Sequence, residues 1–339
     1  MNLCDPSTVK NIMTAFGLQF RKEFGQNFLI DLPTVGMIAD SCAGENTKTV
    51  LEIGAGVGAL THELALRYGC VIALEIDKGL IPLLKYTLGS DRNVRVIQAD
   101  VMKTDLGELL KASFGAGGVA VCANLPYYIT TPVLLKLLDS RLPFDSITLT
   151  VQSEVADRLC AAPGTPEYGS VTAYAAYFGS CRKLADIPAS RFLPPPKVDS
   201  AVIRIDLYRE KPVVPADEEV FFRVIRAAFG QRRKTLTNAL AAGFPGIDKA
   251  ALSAAAEGCG ISPSARGETL SVADFAALSD SLLPALAEAD PSAADERGRK
   301  ARLKRRQESQ RAGHAGAAED DEASPKTGMT EGDATDGEA

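Results

Sequence analysis

The stretch "TKTVLEIGAGVGALTHELALRYGCVIALEID", residues 47–77, decides the fold. It opens on a short apolar run that reads as a buried strand. Gly54, Gly56 and Gly58 then form a turn, and "ALTHELALRYG" carries the apolar spacing of a helix. "CVIALEID" returns to a strand. Strand, turn, helix and strand at this spacing make a βαβ unit with parallel strands. The pattern continues outward. A helix at "KGLIPLLKYTLG" (78–89) leads to strands at "NVRVIQAD" (93–100) and "GVAVCAN" (118–124). A helix near "TPVLLKLLD" (131–139) and a strand at "SITLTVQ" (146–152) follow. The expected class is α/β, with a mostly parallel sheet. "SVTAYAAYFGSCRKLADIP" (170–188) and "KVDSAVIRIDLY" (197–208) are expected as further strands completing it. "PPP" at 194–196 reads as a rigid extended turn.

Beyond "REKPVVPADEE" (209–219) the texture turns helical: "EEVFFRVIRAAFG", "RRKTLTNALAAG", "DKAALSAAAEGCG" and "SVADFAALSDSLLPALAE". The expected division is residues 1–210, a small all-helical domain over 211–287, and a tail over 288–339. That tail segregates its charge. Arg297 to Arg311 holds eight Lys/Arg against Glu308 alone, whereas residues 312–339 hold Lys326 against eight acids. Such composition cannot bury enough apolar surface to offset ordering entropy, so disorder is expected there.

The chain has 339 residues, 46% of them apolar, and a net charge of −6. Its N-terminus lacks the apolar core of a signal peptide, and no apolar run is long enough to span a membrane. The seven cysteines include no CxxC pair, which reads as reduced thiols in the cytoplasm. Only His62 and His314 are available, so neither a histidine-centred metal site nor a catalytic histidine is expected. The acidic balance argues against a nucleic-acid partner unless one face is basic.

Four sites carry chemistry. The glycine turn lets a ligand approach the backbone near a helix N-terminus. By itself it fits GxGxxA as well (Gly54, Gly56, Ala59), and so a nicotinamide cofactor, or a purely structural turn. Glu75 ends the second strand, where a carboxylate can grip both hydroxyls of a ribose. Asp100 ends the third, where it can accept from an adenine amino group. "NLPYY" (124–128) follows the fourth. A dinucleotide enzyme leaves Asp100 and "NLPYY" without roles. An adenosine-bearing methyl donor uses Glu75 and Asp100 and leaves Asn124 to face a second substrate.

"NLPY" resembles the motif of S-adenosylmethionine-dependent methyltransferases acting on N6 of adenine. The lone pair of that exocyclic amine is delocalised into the ring, which makes it a poor nucleophile. The Asn124 side-chain oxygen and the Leu125 carbonyl could bind its two N–H groups and turn its lone pair towards the methyl. Pro126 fixes the carbonyl's direction and Tyr127 offers a stacking face. No general base is required.

"KEFGQNFLID" (22–31), "LEIGAGVGALT", "ANLPYYITTPVLLKLL", "VQSEVADRLCAAPGTPEYGSVT", "FLPPPKVDSAVIRI" and "FGQRRKTLTNAL" (229–240) together resemble the KsgA/RsmA family. These are 16S rRNA adenine N6,N6-dimethyltransferases, related to the Erm enzymes, and the likeness spans roughly residues 10–285. It implies a class I methyltransferase domain, a helical C-terminal domain that binds rRNA, and S-adenosylmethionine as donor. The implied target is two adjacent adenosines near the 3′ end of 16S rRNA in the small ribosomal subunit or its precursor, and the implied protein is monomeric. The implied donor contacts are Asn27 and Leu29, placed before the first helix, with Gly54, Glu75, Asp100 and Asn124. Phe192 resembles a second aromatic that would sandwich the base with Tyr127; on sequence alone it reads equally as core. Arg223, Arg226, Arg232, Arg233 and Lys234, with Arg21, Lys22 and Lys197, are expected to form a basic stripe. Thr237 stands where the family commonly carries a basic residue. Rival readings are an Erm-type large-subunit enzyme, a non-methylating assembly factor and a dehydrogenase.

Overall fold

The computed structural model describes residues 1–21, 25–44 and 47–290. Met1–Ser281 forms one compact unit, and the chain divides at Leu282. Most of the tail and Lys22 thus lie outside the described residues. A seven-stranded sheet organises the first unit. Its strands are β2 (Thr47–Ile53), β3 (Cys70–Glu75), β4 (Val94–Gln98), β5 (Gly118–Asn124), β6 (Phe144–Gln152), β7 (Gly179–Ile187) and β9 (Ser200–Leu207), in spatial order β4-β3-β2-β5-β6-β9-β7. The β4-to-β6 portion is parallel, and β9 pairs antiparallel with both β6 and β7. Two short strands, β1 (Phe28–Leu29) and β8 (Phe192–Leu193), pair with each other outside the main sheet.

Helices supply the crossovers: α3 (Ala59–Ala65), α4 (Leu80–Thr87), α5 (Leu106–Ala116) and α6 (Tyr127–Asp139). Two more, α1 (Pro6–Ala15) and α2 (Leu32–Asp40), precede the sheet; Asp5 and Asp31 cap them by accepting from Thr8 N and Thr34 N. The central strands are apolar almost throughout because both faces are covered. Val50, Val71, Ala120, Cys122 and Val202 pack with Val35 and Ile38 of α2 and Leu60 and Leu64 of α3. A separate cluster joins Val9 and Met13 of α1 to Ala73 and to Leu80, Leu83 and Leu84 of α4.

After β6 come α7 (Ser153–Leu159) and α8 (Ser170–Phe178). The latter corrects the sequence reading, which expects a strand from residue 170. The alternation of aromatic and small residues in "SVTAYAAYF" imitates a strand, but its partners are helical. Tyr177 lies 5.0 Å from Phe221 and Tyr174 lies 4.6 Å from Phe222, both on α9 (Glu218–Gly230). Thr172 Oγ1 accepts from Gly169 N at 3.2 Å and donates to Arg158 O at 2.6 Å, which fixes the helix start. The strand begins only at Gly179. Three helices follow α9: α10 (Leu236–Gly243), α11 (Lys249–Gly258) and α12 (Val272–Ala289). α10 starts later than its apolar pattern indicates, so Arg232, Arg233 and Lys234 lie on the turn before it. No helix among the described residues is long and apolar enough to cross a membrane.

Candidate active site

The strand order reverses between β2 and β5, and in such sheets ligands bind at the carboxyl ends of the strands beside that point. A cavity of about 350 Å³ opens there. Asn27, Leu29, Gly54, Glu75, Asp100, Asn124, Leu125, Pro126, Tyr127 and Phe192 all line it. Every site residue expected from the sequence therefore meets in one place.

The glycine turn forms one wall. Gly54 has φ +82° and Gly56 φ +58°, in the left-handed region that side chains disfavour. A Cβ on Gly56 would also come within 3.0 Å of the Phe28 ring. Its N–H donates to Glu75 Oε2 at 2.9 Å, and Asp77 N donates to Oε1 at 2.9 Å. Glu75 is buried, and that burial raises its pKa against the pull of these two donors. Asp100 is more open; its Oδ1 accepts from Met102 N at 2.9 Å.

One acid was not singled out from the sequence. Glu52, the penultimate residue of β2, lines the same cavity while only 1% exposed. Its Oε2 has no hydrogen-bond partner. Burial, aided by the nearby Glu75 carboxylate, pushes its pKa up to about 8. The available signal was a lone charge inside the apolar run "TVLEIG".

The opposite wall is "NLPY". Asn124 Nδ2 donates to Asn27 O at 3.5 Å, a long bond, and Asn27 Nδ2 donates to Gly25 O at 3.0 Å. The donor side of the Asn124 amide thus faces the N-terminal segment, and its Oδ1 remains as the acceptor. Pro126, with φ −53° and ψ 134°, caps α6 and accepts from Ile129 N at 3.1 Å. Tyr127 is the first residue of that helix. Its Oη shares a hydrogen bond of 2.6 Å with Ser200 Oγ, and burial raises its pKa. Tyr128, by contrast, is 64% exposed.

The N-terminal segment is tied to the far side of the cavity. Leu29 pairs with Phe192 and Phe28 with Leu193, and Ile30 N donates to Arg191 O at 2.8 Å. Asn27 and Leu29 therefore do not precede the first helix, as the sequence reading has it: α1 comes earlier, and Leu29 lies in β1. Phe192 is both things at once, a buried member of the core and part of the cavity wall.

The family profile described as "Ribosomal RNA adenine dimethylase" matches residues 17–282. The chain belongs to the ribosomal RNA adenine dimethylase family. Among this family's curated members, "Ribosomal RNA small subunit methyltransferase A" of Shouchella clausii is 45% identical over 292 residues, covering 85% of this chain and 98% of that protein. The protein of the same description from Geobacillus thermodenitrificans is 44% identical over 286 residues, covering 84% and 98%. Of solved structures, a dimethyladenosine transferase from Plasmodium falciparum superposes with a TM-score of 0.64 at 25% identity, over 73% of this chain and 94% of that one. The 23S rRNA methyltransferase ErmE gives 0.59 at 25% identity, over 76% and 99%. These likenesses establish a Rossmann-like methyltransferase fold with a helical C-terminal part. Membership of the dimethylase family removes the dehydrogenase reading.

The basic stripe is only partly available to a ligand of this dimethylase fold. Arg232 Nε meets Glu268 Oε2 at 3.2 Å, and its Nη2 donates to Pro166 O. Arg223 donates to Gly243 O at 2.8 Å and sits 4.3 Å over the Phe244 ring. Both hold the helices together. Arg226, Arg233, Lys234 and Lys197 are exposed. Thr237 is turned inward: its Oγ1 donates to Pro263 O at 3.2 Å and lies 3.3 Å from Ser253 Oγ.

Proposed function

We propose that this chain uses S-adenosylmethionine to dimethylate N6 of two adjacent adenosines near the 3′ end of 16S rRNA, in the small subunit or its precursor. One observation carries the reading: Asn124 Oδ1 is an acceptor in a cavity shared with Glu75 and Asp100 on one side and Tyr127 and Phe192 on the other. We place catalysis in residues 1–210 and rRNA docking in 211–287, in a cytoplasmic monomer whose tail begins near 288. All seven cysteines are free thiols, which suits a reducing compartment.

The residues fit the donor. The orphaned Glu52 Oε2, on the cavity wall, is a buried acceptor suited to a cation. Asn27, Leu29, Gly54, Glu75, Asp100 and Asn124 would hold it, Glu75 at the ribose and Asp100 at the adenine. When bound, S-adenosylmethionine supplies an electrophilic methyl on a sulfonium sulfur. The chain's own work is orientation. Asn124 Oδ1 and the Leu125 carbonyl accept the two N–H groups of the target amine and aim its lone pair, while Tyr127 and Phe192 hold the ring. His62 takes no part: its Nδ1 is paired with Asp91 at 2.8 Å.

Mapping methylated adenosines in rRNA from cells with and without the gene tests the reading. Loss of dimethyladenosine near the 16S 3′ end is expected; an unchanged pattern there refutes it.

Glu52 gives the donor site a pH dependence. Burial holds its carboxyl neutral up to about pH 8, and a cation beside it favours the ionised form. Donor affinity is therefore expected to rise between about pH 6 and 8, with a proton released on binding. Glu52→Gln should flatten the rise. Stability of the ligand-free protein runs the other way. The folded state keeps a proton that the unfolded state has lost, so this contribution is full below pH 4.5 and lost as pH rises through about 8. Calorimetry in buffers of different ionisation enthalpy reads the proton; an affinity flat with pH removes Glu52 from the site.

Because Arg223 and Arg232 are occupied, the docking test falls on Arg233 and Lys234. Arg233→Ala with Lys234→Ala should weaken particle binding and reduce its salt slope by roughly 1.5, for two lost phosphate contacts. Donor affinity should not change. Equal slopes for variant and wild type would take this turn out of the docking surface.

A further inference from the structure

A stacking face needs only a ring, so a phenylalanine at position 127 would serve the base as well as a tyrosine. The hydroxyl of Tyr127 has a different partner. It points to Ser200 Oγ, 2.6 Å away, on a residue that is fully buried at the start of β9. Ser200 is itself immobilised. It pairs with Gln152 of β6 on one side and Ile187 of β7 on the other. The preceding residue, Asp199, accepts from Ser153 N through its carbonyl at 3.0 Å and from Ala189 N through Oδ1 at 2.8 Å. The hydrogen bond thus ties a half-exposed ring at a helix N-terminus to the most constrained part of the sheet.

Rigidity of that ring matters unequally for the two methyl transfers. An unmethylated N6 has two N–H groups, one each for Asn124 Oδ1 and the Leu125 carbonyl. A monomethylated N6 has one left. Its orientation must then rest more heavily on the rings that hold the base.

We propose that Ser200 is a positioning residue for the second methylation, acting through Tyr127. This rests on the function proposed above and adds which residue sets the extent of methylation. In that second step the N6 lone pair forms the N–C bond as the S–C bond of the donor breaks and its electron pair stays on sulfur. N6 releases its last proton to water.

The test is a double-mutant cycle on intact small-subunit particles, with monomethyl- and dimethyladenosine quantified in the product. Ser200→Ala should slow the second transfer about 5-fold, the size of one hydrogen bond, and change the first by less than about 2-fold; Tyr127→Phe should slow the second transfer by as much. Monomethyladenosine should accumulate in both. Combined, the two changes should be no worse than either alone, because they remove the same bond. A readout without donor or RNA accompanies it. With 3-fluorotyrosine incorporated, the Tyr127 resonance, identified by its absence in Tyr127→Phe, should move in Ser200→Ala towards that of exposed Tyr128.

Additive losses in the double variant would mean that Ser200 serves only the core, and would overturn the proposal. A wild-type product ratio in Ser200→Ala would do the same. Asn124→Ala run alongside separates the two levels. If it is inactive while Ser200→Ala is normal, only this inference falls. If it retains full activity, the site reading falls as well.

Discussion

Asn124→Ala should methylate its particle roughly 100- to 1,000-fold more slowly at saturating donor and particle, for the loss of one preorganised acceptor worth ~3–4 kcal/mol. The effect should appear in the rate of transfer more than in substrate affinity, because the contact to the amine tightens only as nitrogen becomes tetrahedral. The structure adds a reason for care with this variant. Asn124 Nδ2 also reaches Asn27 O, so alanine removes a tie to the N-terminal segment as well. Asn124→Asp separates these effects, since it keeps an acceptor oxygen for the amine and loses the Nδ2 donor that reaches Asn27 O. Near-wild-type single-turnover rates for Asn124→Ala would sink the proposed role.

Glu75→Ala should weaken S-adenosylmethionine binding about 100-fold, for two hydrogen bonds from ribose hydroxyls to a charged acceptor. Part of the loss is indirect. Glu75 holds Gly56 N and Asp77 N, so its carboxylate also sets the shape of the glycine turn. Glu75→Gln retains an acceptor and the side-chain volume, and should fall between alanine and wild type. Calorimetry with S-adenosylmethionine and with NAD decides the matter. NAD should not bind; tight NAD binding that depends on Glu75 would contradict the adenosine-donor reading, and an unchanged donor affinity would remove Glu75 from the site.

What could be read from sequence depended on whether the signal was local. The strands from β2 to β5 announce themselves by apolar runs ending in glycine, acid or "NLPY", because a buried parallel strand favours such composition. Gly54, Glu75, Asp100 and "NLPY" follow from the same logic, since the topology of a parallel sheet brings its strand ends to one edge, whereas Asn27, Leu29 and Phe192 rest on the family resemblance alone. α8 was misread because its alternation of aromatic and small residues is satisfied by α9, some forty residues away. Glu52 escaped because a single acid inside a strand has no spacing partner to mark it. Its meaning lies in burial, which only packing reveals. The basic stripe shows the converse error. A count of cations cannot tell Arg232, committed to Glu268 and Pro166, from its neighbour Arg233. The pairing of β1 with β8 had no local sign at all: two dipeptides more than 160 residues apart meet in antiparallel register.

That short ladder also has a thermodynamic meaning. Leu29, which we propose touches the donor, and Phe192, which we propose holds the base, are direct partners in one register. Neither ligand can displace its own contact without moving the other's. With those roles the two binding equilibria would be linked through a shared element of four residues, and linkage has no preferred direction. By whatever factor the donor changes affinity for the ribosomal particle, the particle changes affinity for the donor by the same factor.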